Sequence, residues 1–183
     1  MLKGYLTASL LNTFVSQYDI MPMLRRDEVE TNQAMLDGID FERKAIEGEI
    51  PELIKVVDGG LYQEPLYKVM GDYVLFGFAD LIKQFMIYDF KFVKNYEWGK
   101  YRNAVQHLQY MYCADIDEFR YIIGTKDGNI YYEDYSRNDE ELKKIVNQFD
   151  RWLDLTGNRE IYSKNYSLER LKEKYDVNFI WWH

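Results

Sequence analysis

Cysteine is nearly absent: Cys113 is the only one in 183 residues. That excludes a disulfide scaffold, an all-cysteine zinc site and a four-cysteine iron–sulfur cluster within one chain. Three prolines and eleven glycines leave no room for a long linker or a collagen-like segment. Charges interrupt every apolar stretch before it reaches the length of a membrane span. The opening Met1-Leu2-Lys3-Gly4-Tyr5 lacks the apolar segment and small-residue cleavage site of a secretory signal. With so little cysteine, a reducing, cytoplasmic compartment is expected. Basic charge is also in deficit. The 23 Lys and Arg against 31 Asp and Glu give a net charge of −8, which argues against a protein that coats nucleic acid through a broad basic surface. An enzyme that meets DNA through one local patch is not excluded, and two bound divalent cations would halve the imbalance.

What is abundant is apolar and aromatic. The chain is 47% hydrophobic and 17% aromatic, with seventeen Tyr, ten Phe and four Trp, which excludes intrinsic disorder. One domain over residues 1–183 is expected, and a chain of this size buries roughly 70% of its unfolded surface. Thr7-Ala8-Ser9 before Leu10, Leu11, Phe14 and Val15 predicts a capped amphipathic helix, with Pro22 closing that region. Arg25 to about Glu49 reads as one or two helices, with Gly38 as a possible break. Leu61–Val69, Tyr73–Ile82 and Met86–Val93 are rich in Tyr, Phe, Val and Ile and read as three strands. Met70-Gly71-Asp72 and Lys83-Gln84 are the expected turns. Helical spacing returns over Lys100–Asp115. Phe119–Thr125 and Ile130–Tyr135 flank the hairpin signal Lys126-Asp127-Gly128-Asn129. Asp139–Leu155 and Leu168–Lys174 read as helices, and Val177–Trp182 as a last strand. This order predicts a mixed α/β (α+β) fold and not a doubly wound parallel sheet.

The chemistry concentrates in Gly77-Phe78-Ala79-Asp80 and Asp89-Phe90-Lys91. Asp89 and Lys91 project from one face of their strand. A loop over Lys83–Met86 puts Asp80 opposite Asp89; a two-residue Lys83-Gln84 loop makes the pair diagonal on the same face. The strand carrying Asp89 is apolar on both sides, as a central strand is, and charges there need an explanation that a surface pair does not. Facing carboxylates repel, and a divalent cation removes that cost. Gln106 and Tyr110 are i and i+4 on the following helix, and Arg102 extends their stripe by a turn. His107 projects about 100° away from Gln106 and reads as a surface or core-edge residue. Cys113 reads as a small buried apolar group.

The ordered set Gly38-x-x-Phe41-Glu42, Gly77-x-x-Asp80, Asp89-x-Lys91 and Gln106-x-x-x-Tyr110 resembles the PD-(D/E)XK nuclease superfamily, in its RecB-type and phage lambda-exonuclease-type branch. The Ser9-containing first helix is similar to the one that opens many RecB-type modules. The resemblance covers roughly residues 7–125. It implies a restriction-endonuclease-like core, a central mixed sheet flanked by helices. It implies that Asp80, Asp89, Glu42 and the Phe90 carbonyl ligate Mg²⁺ or Mn²⁺, that Lys91 holds the attacking water or scissile phosphate, and that Gln106 and Tyr110 support the site or meet DNA. The histidine that many RecB-type members carry near the Glu42 position is missing. Hard carboxylate ligands without His or Cys select Mg²⁺ or Mn²⁺ over Zn²⁺. The implied activity is a metal-dependent DNA nuclease, an exonuclease of recombination, repair or phage DNA processing, with DNA as partner. A homo-oligomer and a recombination or annealing protein are further partners compatible with it. The alternatives are an inactive nuclease-fold module that binds nucleic acid or protein, and a metal-dependent hydrolase of small phosphoesters. Arg25, Arg26, Lys94, Lys100 and Arg102 are the candidate DNA contacts. Tyr62 and Tyr96 are candidates for base stacking.

Overall fold

The computed structural model describes residues 2–28 and 30–175. The expected strand Val177–Trp182 and the terminal His183 lie outside the described residues. In chain order the elements are β1 (Gly4–Thr7), α1 (Ala8–Val15), α2 (Met21–Arg25), α3 (Gln33–Ile46), α4 (Ile54–Val57), β2 (Leu61–Met70), β3 (Tyr73–Lys83) and β4 (Met86–Val93). They continue with α5 (Val105–Ala114), β5 (Glu118–Thr125), β6 (Ile130–Ser136), α6 (Asp139–Leu155), α7 (Arg159–Asn165) and α8 (Leu168–Tyr175). A 3-10 turn, Pro51–Leu53, leads into α4. No helix among the described residues is long and apolar enough to cross a membrane.

The fold is mixed α/β, a central mixed sheet flanked by helices, as expected. β2 pairs antiparallel along nearly all of β3. β1 runs parallel to the start of β3, from Gly4↔Tyr73 to Thr7↔Phe76. β4 pairs antiparallel with its end, from Leu81↔Tyr88 to Lys83↔Met86. Since β2 fills one edge of β3 throughout, β1 and β4 share the other. β4 then pairs parallel with β5, and β5 antiparallel with β6. β4 is thus a central strand, which accounts for its apolar texture.

Local chemistry sets the boundaries. Thr7 ends β1 and caps α1, its hydroxyl oxygen accepting the Leu10 N–H at 3.3 Å. Gly4 has φ +143, and a Cβ there would stand 2.4 Å from the Tyr166 carbonyl oxygen, so only glycine starts this strand. Asn32 caps α3 by accepting the Met35 N–H at 3.1 Å.

Four expectations are corrected. Pro22 does not close a helical region. It stands in the first turn of α2, where the missing N–H costs no hydrogen bond. Gly38 does not break α3, since a glycine inside a well-capped helix costs only about 1 kcal/mol. The turn between β3 and β4 is Gln84-Phe85, both at positive φ, and not Lys83-Gln84. The helix expected from Lys100 begins at Val105, preceded by turns, so Arg102 does not extend the Gln106–Tyr110 stripe. β1, α2, α4 and α7 were not expected.

The core has three parts. The largest packs β1 and the first half of β3 against α1, α5 and α6, through Leu6, Leu10, Val74, Phe76, Leu108 and Phe149. A second lies under α5 and includes Ile87, Tyr110, Phe119 and Tyr121. A third lies under α3 and α4 and includes Phe41, Leu53, Leu81, Phe90 and Ile122. Neighbouring residues of β4 therefore feed opposite faces, with Ile87 toward α5 and Phe90 toward α3.

Candidate active site

β3 is paired to β1 only as far as Phe76 and to β4 only from Leu81 onward. Residues 77–80 are left as a gap on that edge, and Asp80 closes the gap. The Leu81↔Tyr88 register makes Asp89 the residue across from it. Instead of a ladder bond, the Phe90 N–H donates to Asp80 Oδ2 at 2.9 Å. The side chain takes over where the sheet parts.

Asp89 is 1% exposed. The Gln106 Nε2 amide donates to its Oδ1 at 2.5 Å. Lys91 Nζ stands 2.5 Å from its Oδ2. That short contact is a charge-assisted pair, with the ammonium donating to Oδ2. Burial works to lower the Lys91 pKa, but Asp89, Asp80 and Glu42 outweigh it and raise the pKa above its ordinary value. Lys91 is therefore a fixed ammonium, which donates and cannot take up a proton at neutral pH.

Glu42 arrives from α3. Phe41, beside it, packs edge-on to Phe90 at 6.3 Å. The Phe41 ring also fills the space over Gly124 on β5, where a Cβ would fall 2.3 Å from it. That seat fixes the register of α3 on the sheet. Gln63 Nε2 donates to Glu42 Oε1 at 2.6 Å. Gln63 lies within β2 at φ 50, a left-handed conformation unusual for a side-chain-bearing residue. The flanking pairs Tyr62↔Leu81 and Glu64↔Ala79 place it across from Asp80.

The carboxylates act on one another. Burial, Asp89 and Glu42 push the Asp80 carboxyl up to about 8, against the pull of the Phe90 N–H and Lys91. Burial and then Asp89 raise Glu42. Among the described residues, no three of His, Cys, Asp and Glu stand close enough together to hold a metal ion as they are.

The remaining candidates divide. Tyr110 is buried beneath the site. A Cβ on Gly77 would lie 2.6 Å from its ring, so the glycine of Gly77-x-x-Asp80 makes room for Tyr110. Arg26 is not a free cation, because its guanidinium lies over Tyr166 at 4.5 Å and Tyr5 at 5.4 Å. Arg25, Lys94, Lys100 and Arg102 are exposed. His107 is buried, stacked on Tyr135 at 4.3 Å, and burial pushes its pKa down to about 4. Burial pushes the Cys113 thiol up to about 12, which makes it inert. Tyr62 donates its hydroxyl to the Val57 carbonyl, and Tyr96 stacks on Tyr131 at 4.5 Å, which takes one face of its ring. Sequence reasoning missed Gln63. Glutamine carries no signal for positive φ.

The sequence matches no protein-family model and no curated protein. Solved structures do match. The alkaline exonuclease LHK-Exo from Laribacter hongkongensis superposes with a TM-score of 0.59 at 15% identity, over 93% of this chain and 93% of that one. Its complex with dAMP gives 0.60 at 15% identity, over 94% and 93%. A phage-related exonuclease from Haemophilus somnus gives 0.57 at 15% identity, over 87% and 94%. At such identities the likeness is one of fold: the chain has the mixed α/β architecture of these exonucleases.

Proposed function

We propose that this chain is a divalent-metal-dependent deoxyribonuclease of the exonuclease kind, acting in DNA recombination, repair or phage DNA processing. One observation carries the reading. Burial and the Asp89 charge raise the pKa of both Glu42 and Asp80, and Glu42 raises Asp80 further, around the gap in the sheet and beside the Lys91 ammonium. Evolving a stable protein does not require such a group, and a cation relieves it. The exonuclease fold supports the same reading, and the dAMP held by one neighbour makes DNA the natural substrate class.

The residues fit Mg²⁺ or Mn²⁺ chemically. Their donors are hard oxygens, and the buried Asp89 carboxylate has only two donors, Gln106 and Lys91, for its four lone pairs. Glu42, Asp80, Asp89 and the Phe90 carbonyl would hold the ion. When bound, it offsets negative charge building on the phosphodiester and makes water a better nucleophile. The chain's own groups do the rest. Lys91 gives a permanent positive charge and up to three donors to a phosphate oxygen. Gln106 fixes the Asp89 carboxylate, and Gln63 fixes Glu42. Tyr110 walls the site from below. Arg102, Lys94 and Arg25 are exposed cations available to the DNA backbone.

An inactive nuclease-fold module is the second reading. It is favoured by the absence, among the described residues, of three ligands already close enough for an ion, and by Lys91 pairing with Asp89. Incubation of end-labelled linear and circular DNA with Mg²⁺, Mn²⁺ or EDTA decides between them. Release of nucleotides from linear DNA in metal but not EDTA supports the exonuclease. No cleavage of either form refutes it.

A further inference from the structure

Residues 94–104 join the candidate site to itself. The segment leaves β4 three residues after Lys91 and enters α5 just before Gln106, whose amide holds Asp89. Both its ends are therefore fixed at the catalytic carboxylates. The segment is also fixed in the middle. Glu133, on β6, is 2% exposed. It accepts the Gly99 N–H at 3.0 Å, the Tyr101 N–H at 3.3 Å and the Tyr96 hydroxyl at 2.9 Å, with Tyr135 as a further donor. Burying a carboxylate is costly unless it is saturated with donors, and this one is saturated by the loop.

Two of the three aromatic residues in the loop are packed. Tyr96 stacks on Tyr131, and Tyr101 stacks on Tyr121 at 4.7 Å. Trp98 is not packed, and it is 72% exposed. It stands over an open cleft of about 540 Å³ lined by residues 95–100. Lys94, Lys100 and Arg102 share its loop, exposed and without an ion pair among the described residues, against Glu97 on the loop and the buried Glu133 that braces it. In a chain of net charge −8 this is a local reversal of sign. A large flat apolar ring held out on a braced loop among cations has the two properties needed to grip unpaired nucleic acid, a stacking face and a phosphate-attracting field.

We propose that Trp98 is a stacking platform for an unpaired base of a single strand, held in place by Glu133 so that the strand is presented to the Asp89–Lys91 site. The proposal rests on the nuclease reading above for its choice of ligand. Its test does not depend on cleavage. Binding of fluorescein-labelled dT12, and of an abasic strand with the same phosphates, is measured by anisotropy in EDTA for wild type, Trp98→Ala and Trp98→Phe.

Stacking predicts that Trp98→Ala weakens dT12 by about five- to a hundredfold. It also predicts that Trp98→Phe retains most of the affinity and that the abasic strand is bound equally by all three proteins. An unchanged dT12 affinity in Trp98→Ala overturns the proposal. So does an equal loss on both strands, which would mark a change in the loop or its charge and not in stacking. Failure of wild type to bind either strand also overturns it. Nuclease activity is read separately from linear-DNA cleavage, so cleavage with unchanged Trp98→Ala binding sinks the platform and leaves the nuclease standing.

Discussion

Replacing Asp80 with Asn is expected to stabilise the metal-free protein while abolishing its activity. Asp80 is pushed up to about 8 by burial, Asp89 and Glu42. In an unfolded chain the same carboxyl titrates near 3.9. For an acid whose folded pKa is raised, stability is intact below the unfolded value and is lost as pH climbs through the folded one. Each unit is worth about 1.4 kcal/mol, so the span from about 4 to about 8 sets an upper bound on the order of 5 kcal/mol. Relaxation around the buried carboxyl reduces this, and about 2–4 kcal/mol is expected at pH 9. Asn carries no charge at any pH, and its amide oxygen still accepts the Phe90 N–H. For a chain of this length the gain is about 4–16 °C in the unfolding midpoint. The assay is thermal unfolding in EDTA from pH 4 to pH 9. The Asp80→Asn advantage should grow through that window and be small at its acid end. Adding Mn²⁺ should then raise wild type and not the variant, because only the native state with its carboxylate binds the ion. A variant less stable than wild type at pH 9 in EDTA would show that Asp80 is a structural acceptor and not one of a strained cluster.

Three further outcomes are expected. Lys91→Ala should slow single-turnover cleavage of linear DNA by about a hundredfold or more at equal metal occupancy, the scale of losing one electrostatic stabiliser; equal rates would remove Lys91 from the chemistry. His107→Phe should keep the stack on Tyr135 and flatten the acid side of the stability profile. The buried histidine has its pKa lowered to about 4, so wild type loses on the order of 3 kcal/mol as pH falls from about 6.5 to 4, and denaturant melts showing the same acid loss in both proteins would contradict this. Gly77→Ala should destabilise by about 1–3 kcal/mol, because its Cβ would meet the Tyr110 ring at 2.6 Å; the double variant Gly77→Ala, Tyr110→Leu should recover part of the loss, and no recovery would place the strain elsewhere.

The strands that carry the site were legible because their signal is short-range. Alternation and β-branched content marked β2, β3 and β4, the two-residue spacing put Lys91 on the face of Asp89, and the even Lys83–Met86 register put Asp80 across from Asp89. β1 was not legible: four residues carry too little periodicity, and its place depends on Tyr166 far along the chain accepting Gly4 as a neighbour without a side chain. α2 was hidden by its own Pro22, since proline ends helices more often than it opens five-residue ones. The placement of Arg102 failed for a similar reason. Helical spacing through Lys100–Ala104 is a property of side-chain order, while the chain there is held in turns by Glu133, which is about thirty residues away.

Asp89 and Glu133 show where sequence reading stops. Both are carboxylates at strand positions, and both are almost wholly buried, at 1% and 2%. The apolar strand around Asp89 marked it in the sequence, while Glu133, in a strand of mixed texture, reads as a solvated charge on a sheet face. Their surroundings separate them. Both Glu133 oxygens accept backbone N–H and tyrosine hydroxyl donors, so its charge is met by fixed hydrogen bonds and its role is to brace a loop. Asp89 has one oxygen on the Gln106 amide and the other on the Lys91 ammonium, while Asp80 and Glu42 both feel its charge. A buried carboxylate with four fixed donors has its lone pairs filled; one with two donors, set among other carboxylates, keeps lone pairs free for a cation. That difference depends on which donors the fold delivers from distant segments, so it belongs to tertiary structure, and no spacing rule along the chain encodes it.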